Sequence, residues 1–149
     1  MPEIFVDADA CPVKEEIYRV AKRYGYGVTL VSNAMMRIPQ ADWLKLIVVD
    51  GRLDAADDWI VERVSQDDIV ISADIQLAAR CLEKGAVALD MRGGAFTEDR
   101  IGEALASREI LGHLRDRGAI TGGPAPFDKR DRSRFLQRLD QAIQSLRRK

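Results

Sequence analysis

Asp7 and Asp9 follow the short apolar run Ile4, Phe5 and Val6 and stand just before Cys11 and Pro12. Two acids this close repel each other and lose solvation together unless a positive charge lies between them. Oxygen ligands of this kind suit a hard divalent cation. Acids recur at equivalent places further on: Asp50 after the apolar stretch 46–49, Asp74 after 69–71 and Asp90 after 87–89. Asp54, Asp57 and Asp58 open the amphipathic stretch that follows Asp50. Parallel strands bring their carboxyl ends to one side of a sheet, so acids far apart in sequence can converge there. A rigid cluster of short-stemmed carboxylates fits Mg²⁺ or Mn²⁺, with water or phosphate completing the shell.

Such a cluster supports phosphodiester hydrolysis. One or two ions activate a water and stabilise the attacking and leaving oxygens, while a carboxylate receives the proton. Asp7 and Asp74 are the strongest candidates for direct ligands. Asp9 and one of Asp54, Asp57 or Asp58 would add a ligand or hold a water. Aspartate also caps helices and forms turns, which is the better reading for Asp50, Asp67, Asp68 and Asp90 taken singly.

Other polar residues can contact phosphate. Ser32 and Asn33 end a second apolar stretch, and Ser72 ends a later one. Arg92 with Gly93 and Gly94 offers a cation and backbone N–H groups, without the spacing of a phosphate-binding loop. Arg37 is a further loop cation. Cys11 sits where a helix start can activate a thiol, yet the single histidine, His113, is remote in sequence and reads as structural. Cys11 is therefore expected to pack or cap, and Cys81 to be core. The two tryptophans and three tyrosines form no regular stacking platform for single strands.

Alternating short apolar runs and amphipathic stretches must position these groups. Strands are expected at 4–6, 28–31, 46–49, 69–71 and 87–89. Val13, Ile17, Val20, Ala21 and Tyr24 recur at helical spacing, with Pro12 in the first turn, Asp9 or Cys11 as cap and Gly25 as the stop. Residues 34–42 read as a connection. Helices follow at 55–64 and 75–83. Phe96 and Thr97 resemble a staple and cap for a helix starting near Glu98, with a break near Ser107 before Arg117 and Gly118. A loop with Gly122, Gly123, Pro124 and Pro126 leads to an amphipathic helix through Phe135, Leu139, Ala142, Ile143 and Leu146. Strands separated by short helices imply parallel pairing with right-handed crossovers. The expected architecture is one α/β domain over 1–149, with 95–149 a mainly helical extension packed on it.

The 149 residues suffice for one sizeable core and fall short of two ordinary domains. The longest apolar runs are strand-sized, so no membrane span is expected, and no charged-then-apolar leader precedes the first strand. Two cysteines make neither a disulfide framework nor a metal-ligand spacing, which favours a reducing cytoplasm. With 23 basic and 24 acidic residues the net charge is −1, a balance that can hide an acidic cleft flanked by basic segments. The basic residues gather towards the end, closing on Arg147, Arg148 and Lys149, where a soluble helix end is a simpler reading than a nucleic-acid contact.

The motifs VDADACPVKEEI, DAADDWIVERV, ISADIQLAARCLEKGA, RGG, GGPAPF and DRSRF together resemble the uncharacterised YaiI/YqxD family of bacterial proteins over nearly the whole chain. That family is similar to the PIN-like group, whose better-known members are metal-dependent nucleases. The resemblance implies a PIN-like three-layer α/β domain with a central, mainly parallel sheet. It matches Asp7, with Asp9 beside it, to the acid after the first strand. It matches Asp54 or Asp57 to the central acid and Asp74 to the later one. GGPAPF and DRSRF go beyond the PIN-like pattern. The candidate set is Asp7, Asp57 and Asp74 for catalysis and Asp7, Asp9, Asp54, Asp57 and Asp74 for Mg²⁺ or Mn²⁺, with Ser32, Asn33 and Arg92, read from the residues alone, for phosphate or substrate. The expected function is a metal-dependent phosphodiesterase acting on RNA or another nucleic acid, with no membrane or evident protein partner. A noncatalytic metal- or nucleotide-dependent binding module is the alternative. Less favoured is a phosphatase with Asp7 as nucleophile, since Cys11 replaces the usual residue after the second acid and no lysine motif follows.

Overall fold

Ile4, Phe5 and Val6 are all nearly inaccessible, although alternate residues of a strand face opposite ways, so the strand carrying them is covered on both sides. The computed structural model describes residues 2–9, 11–52, 54–116 and 127–148, with 108–116 described by backbone alone. The chain order is β1 (Glu3–Asp7), α1 (Lys14–Tyr24), β2 (Gly27–Ser32), β3 (Leu44–Val48), α2 (Ala55–Arg63), β4 (Ile69–Ile71), α3 (Ile75–Glu83), β5 (Val87–Leu89), α4 (Glu98–Asp116) and α5 (Lys129–Arg147). The five strands lie in the order β3-β2-β1-β4-β5, and all four pairings are parallel. The expected α/β architecture with a parallel central sheet and C-terminal helices is what the chain adopts.

Helices cover both faces. Ile4, Val6, Val28, Leu30, Ile69 and Ile71 point to one face, where they join Ile17, Val20 and Ala21 of α1 and Phe135, Leu139 and Ile143 of α5. Phe5, Val31 and Val70 point to the other, against Ala56 and Ile60 of α2 and Leu77 and Cys81 of α3. A smaller cluster of Ala78, Ala88, Phe96 and Ile101 seats α4 against α3 and β5. Because Asp7 is two residues beyond Phe5, its side chain emerges on the α2–α3 face.

Register aligns the strand ends. Val6 pairs with Ile71, which pairs with Leu89, so Asp7, Ser72 and Asp90 form the next row across β1, β4 and β5. The chain winds from β1 outward through β2 to β3, then returns to the other side of β1 with β4. The order therefore reverses between β1 and β4, where open parallel sheets leave a crevice at their carboxyl ends.

Three local expectations are corrected. β3 runs from Leu44 to Val48 rather than over 46–49, because buried Leu44 pairs with Val28. α1 is preceded by Val13 without a side-chain cap bond, so neither Asp9 nor Cys11 caps it. α4 runs through Ser107 without the expected break. Gly25 does end α1, in the left-handed region at φ 72°, with its N–H bonded to the Ala21 carbonyl. Thr97 Oγ1 accepts the Arg100 N–H at 3.0 Å, as a cap for α4 should. The loop glycines and prolines from 122 to 126 and the side chain of His113 lie outside the described residues.

Candidate functional site

The crevice between β1 and β4 holds a pocket of about 460 Å³ lined by Asp7, Asp9, Asn33, Gly51, Arg52, Asp54, Ala55, Ala56, Asp57 and Asp74. Five carboxylates from three separate segments thus line one pocket. Each is placed by its own local chemistry.

Asp7 closes β1, and its Oδ2 accepts the hydroxyl of Ser72 at 3.1 Å. The same Ser72 oxygen accepts the Asp74 N–H at 2.9 Å, so one buried hydroxyl ties both acids together. Burial raises the Asp7 carboxyl above its ordinary range against the Ser72 bond, with Asp9 and Asp74 adding repulsion. Asp74 also begins α3: its Oδ1 accepts the N–H groups of Gln76 at 2.8 Å and Leu77 at 3.2 Å. The capping role and the pocket position coexist in this one residue.

Asp9 is held from the neighbouring strand. The hydroxyl of fully buried Ser32 donates to its Oδ1 at 2.7 Å, and the Asn33 N–H donates to its Oδ2 at 3.0 Å. Ser32 thus orients a carboxylate from inside the fold, whereas Asn33 is exposed in the pocket lining. Across the pocket, Asp54 occupies the left-handed region at φ 68° just before α2 without capping it. Aspartate tolerates that conformation better than most residues.

Asp57 is the most perturbed acid. Its carboxyl is pushed up to about 7, first by burial and then by Asp74, Asp7 and Asp54. A carboxylate poised near neutrality can take or give a proton at working pH. Arg52 is the only basic side chain among the described lining residues, and it is turned to Asp50, with Nε 2.9 Å from Oδ1. Among the described residues, no three His, Cys, Asp or Glu side chains close into a ready metal cage. The donor set still fits Mg²⁺ or Mn²⁺, which need one or two carboxylates and complete their shells with water and phosphate.

Asp58, Arg92 and Arg37 lie away from this pocket, and Asp68 and Asp90 are turn acids as expected. Asp58 turns to Arg80 of α3 at 2.9 Å. Asp68 accepts the Glu3 and Ser65 N–H groups, and Asp90 accepts those of Arg92 and Gly94. The Arg92-Gly93-Gly94 turn therefore spends two of its N–H groups on Asp90 Oδ1, and the Gly93 N–H on the Asp90 carbonyl, instead of presenting them to phosphate. Arg92 itself lines a separate cleft, 3.3 Å from Asp131. Arg37 belongs to a third hollow beside β3. Cys11 and Cys81 are buried and burial raises both thiols, as packed rather than reactive cysteines should behave.

A family profile described as "Uncharacterized BCR, YaiI/YqxD family" matches residues 5–145. A UPF0178 protein of Rhodospirillum rubrum is 52% identical over 147 residues, covering 98% of each chain. Another, from Rhodospirillum centenum, is 53% identical over 152 residues and covers 99% of each. A third, from Gluconacetobacter diazotrophicus, is 54% identical over 143 residues, covering 96% of this chain and 93% of its own. No solved structure matches the chain.

Proposed function

The chain belongs to the YaiI/YqxD family, and we propose that its acidic pocket makes it a Mg²⁺- or Mn²⁺-dependent phosphodiesterase acting on RNA or another nucleic acid. The observation that carries this reading is the meeting of five carboxylates at the strand-order reversal, with the one lining arginine paired outward. Negative charge concentrated in this way is costly unless a cation offsets it. The motif resemblance to PIN-like nucleases points the same way.

Asp7, Asp9, Asp54, Asp57 and Asp74 are the residues that would hold the cation. When bound, it supplies a polarised phosphoryl oxygen and a more acidic water. The chain's own groups do the rest. Ser72 and Ser32 fix the Asp7 and Asp9 carboxylates from beneath, as supporting partners do for metal ligands generally. Beside the cation's charge the Asp57 carboxyl would fall from its metal-free value of about 7, leaving it ionised to accept the proton of the attacking water. Exposed Asn33, in the pocket lining, would donate to a phosphate oxygen of the substrate.

A cleavage panel of labelled RNA, DNA and a small aryl phosphodiester tests this, run in Mg²⁺, Mn²⁺ and chelator with wild type and Asp7→Asn. Metal-dependent turnover that Asp7→Asn abolishes is the expected result. Equal turnover by both proteins would refute the site. Metal binding without turnover on any substrate would replace the enzyme reading with a binding module.

A further inference from the structure

Two strands across from Asp7, on the same edge of the sheet, the carboxyl end of β5 opens into a second cleft. It has a volume of about 300 Å³ and is lined by Asp90, Arg92, Gly94, Ala95, Arg100, Arg134 and Arg138. Four guanidinium groups in so small a space repel one another, and the fold holds them there by specific means. Arg100 pairs with Asp90 at 2.5 Å and lies 4.4 Å from the Phe96 ring centre. Arg92 pairs with Asp131 and lies 5.3 Å from the Phe127 ring centre. Arg134 and Arg138 are exposed, follow each other by one helical turn on α5 and make no ion pair among the described residues.

Gly93 allows α5 to come this close. Its φ of +85° is strained for other residues, and a Cβ there would stand 2.6 Å from the Arg138 Cβ and 3.1 Å from the Phe135 Cα. Backbone approach at Gly93 therefore sets the Arg138 stem directly over the β5 turn. Among the described residues the carboxylates paired with these arginines are Asp90 and Asp131, two acids against four guanidinium groups. Planar, always-charged guanidinium forks match phosphate oxygens.

We infer that this arginine cleft binds the phosphate backbone of the polynucleotide whose scissile bond enters the acidic pocket, so that the substrate is a strand and not a mononucleotide. The inference takes its substrate class from the phosphodiesterase reading. The spacing supports it. Two strand separations place the β5 end about 10 Å from the β1 end, and Asp7 faces α2 and α3 whereas Arg134 and Arg138 stand on α5 across the sheet, so a single strand of several nucleotides laid over the carboxyl end of the sheet reaches both. Acidic and basic sites at the same end of the sheet divide the work: one handles the reacting phosphate, the other holds its neighbours.

The test is fluorescence anisotropy in chelator, with labelled single-stranded RNA and DNA of about 15 nucleotides at several salt concentrations. Wild type is compared with Arg134→Gln/Arg138→Gln, which keeps the aliphatic stem packed on Gly93. Wild type should bind, and the double variant should bind about tenfold or more weakly, with a salt slope reduced by about 1.4. Equal affinity and slope for the two proteins, or no binding by wild type, overturns the inference. The two readings can fail separately. Binding lost in the arginine variant by a wild type that never cleaves supports the cleft and refutes the enzyme. Metal-dependent cleavage with unchanged binding in the variant refutes the cleft and leaves the acidic pocket standing.

Discussion

Asp57→Asn should stabilise the folded protein, although it removes an acid from the heart of the pocket. The Asp57 carboxyl rises from 3.8 to about 7, so the folded state holds its proton more tightly than the unfolded chain does. Below pH 3.8 the group is neutral in both states and the substitution is silent. Between there and about 7 the unfolded chain releases the proton while the folded one keeps it, so wild-type stability falls with rising pH. Above 7 the whole penalty is present. At 1.36 kcal/mol per unit the ceiling is about 4 kcal/mol, and solvent screening of a half-buried group reduces it to roughly 2 kcal/mol. For a chain of this size that corresponds to about 6 °C in Tm. The protonated Asp57 carboxyl donates to Asp74, and an Asn amide can do the same, so the substitution removes the charge and keeps a donor. Thermal melts of both proteins in chelator, from pH 3.5 to 8.5, should show curves that coincide in acid and diverge to this gap above pH 7. Added Mn²⁺ should raise wild type more than the variant and narrow the gap. Curves that stay parallel at every pH would refute the convergence of Asp7, Asp54, Asp57 and Asp74.

Two further perturbations examine the supports of the site. Ser32→Ala removes the buried hydroxyl that donates to Asp9; Mn²⁺ affinity by titration should fall roughly tenfold to a hundredfold, and the unfolding free energy by about 1 kcal/mol. Unchanged affinity would separate Asp9 from the metal site. Gly93→Ala meets both a positive φ and the Arg138 stem; urea unfolding should show a loss of roughly 1–3 kcal/mol, and no loss would mean that α5 does not rest on the β5 turn.

The elements that position the site were largely legible because each has a compact local pattern. Ile69–Ile71, Ile75–Glu83 and Val87–Leu89 are bounded in the sequence by Asp68, Asp74, Gly85 and Asp90, and the structure keeps those bounds. β3 was less legible because Lys45 interrupts its apolar run and separates Leu44 from the stretch 46–49. The acids now found together were all candidates, but the spacing of Asp54, Asp57 and Asp58 could not sort them. Asp54 and Asp57 face the pocket, while Asp58 is drawn off by Arg80 from another helix. Asp9 looked like a helix cap because a local reading supplies no rival partner; its partner is Ser32, 23 residues away on the adjacent strand. Arg134 and Arg138 carry no signal of their own in the sequence, where they are two of many arginines near its end. Only the packing of α5 against the β5 turn gives them a shared cleft with Arg92 and Arg100.

The most direct measurement is the initial rate at which Asp74→Asn cleaves a labelled single-stranded RNA in Mn²⁺, beside wild type, with both proteins shown to be folded. Asn retains the helix-capping role that Asp74 has at α3, so the substitution isolates the carboxylate's charge. A loss of about a hundredfold or more, with wild-type cleavage abolished by chelator, is the predicted result. Cleavage by Asp74→Asn at the wild-type rate, or wild-type cleavage that persists in chelator, would contradict the assignment of the acidic pocket as a metal-dependent phosphodiesterase site.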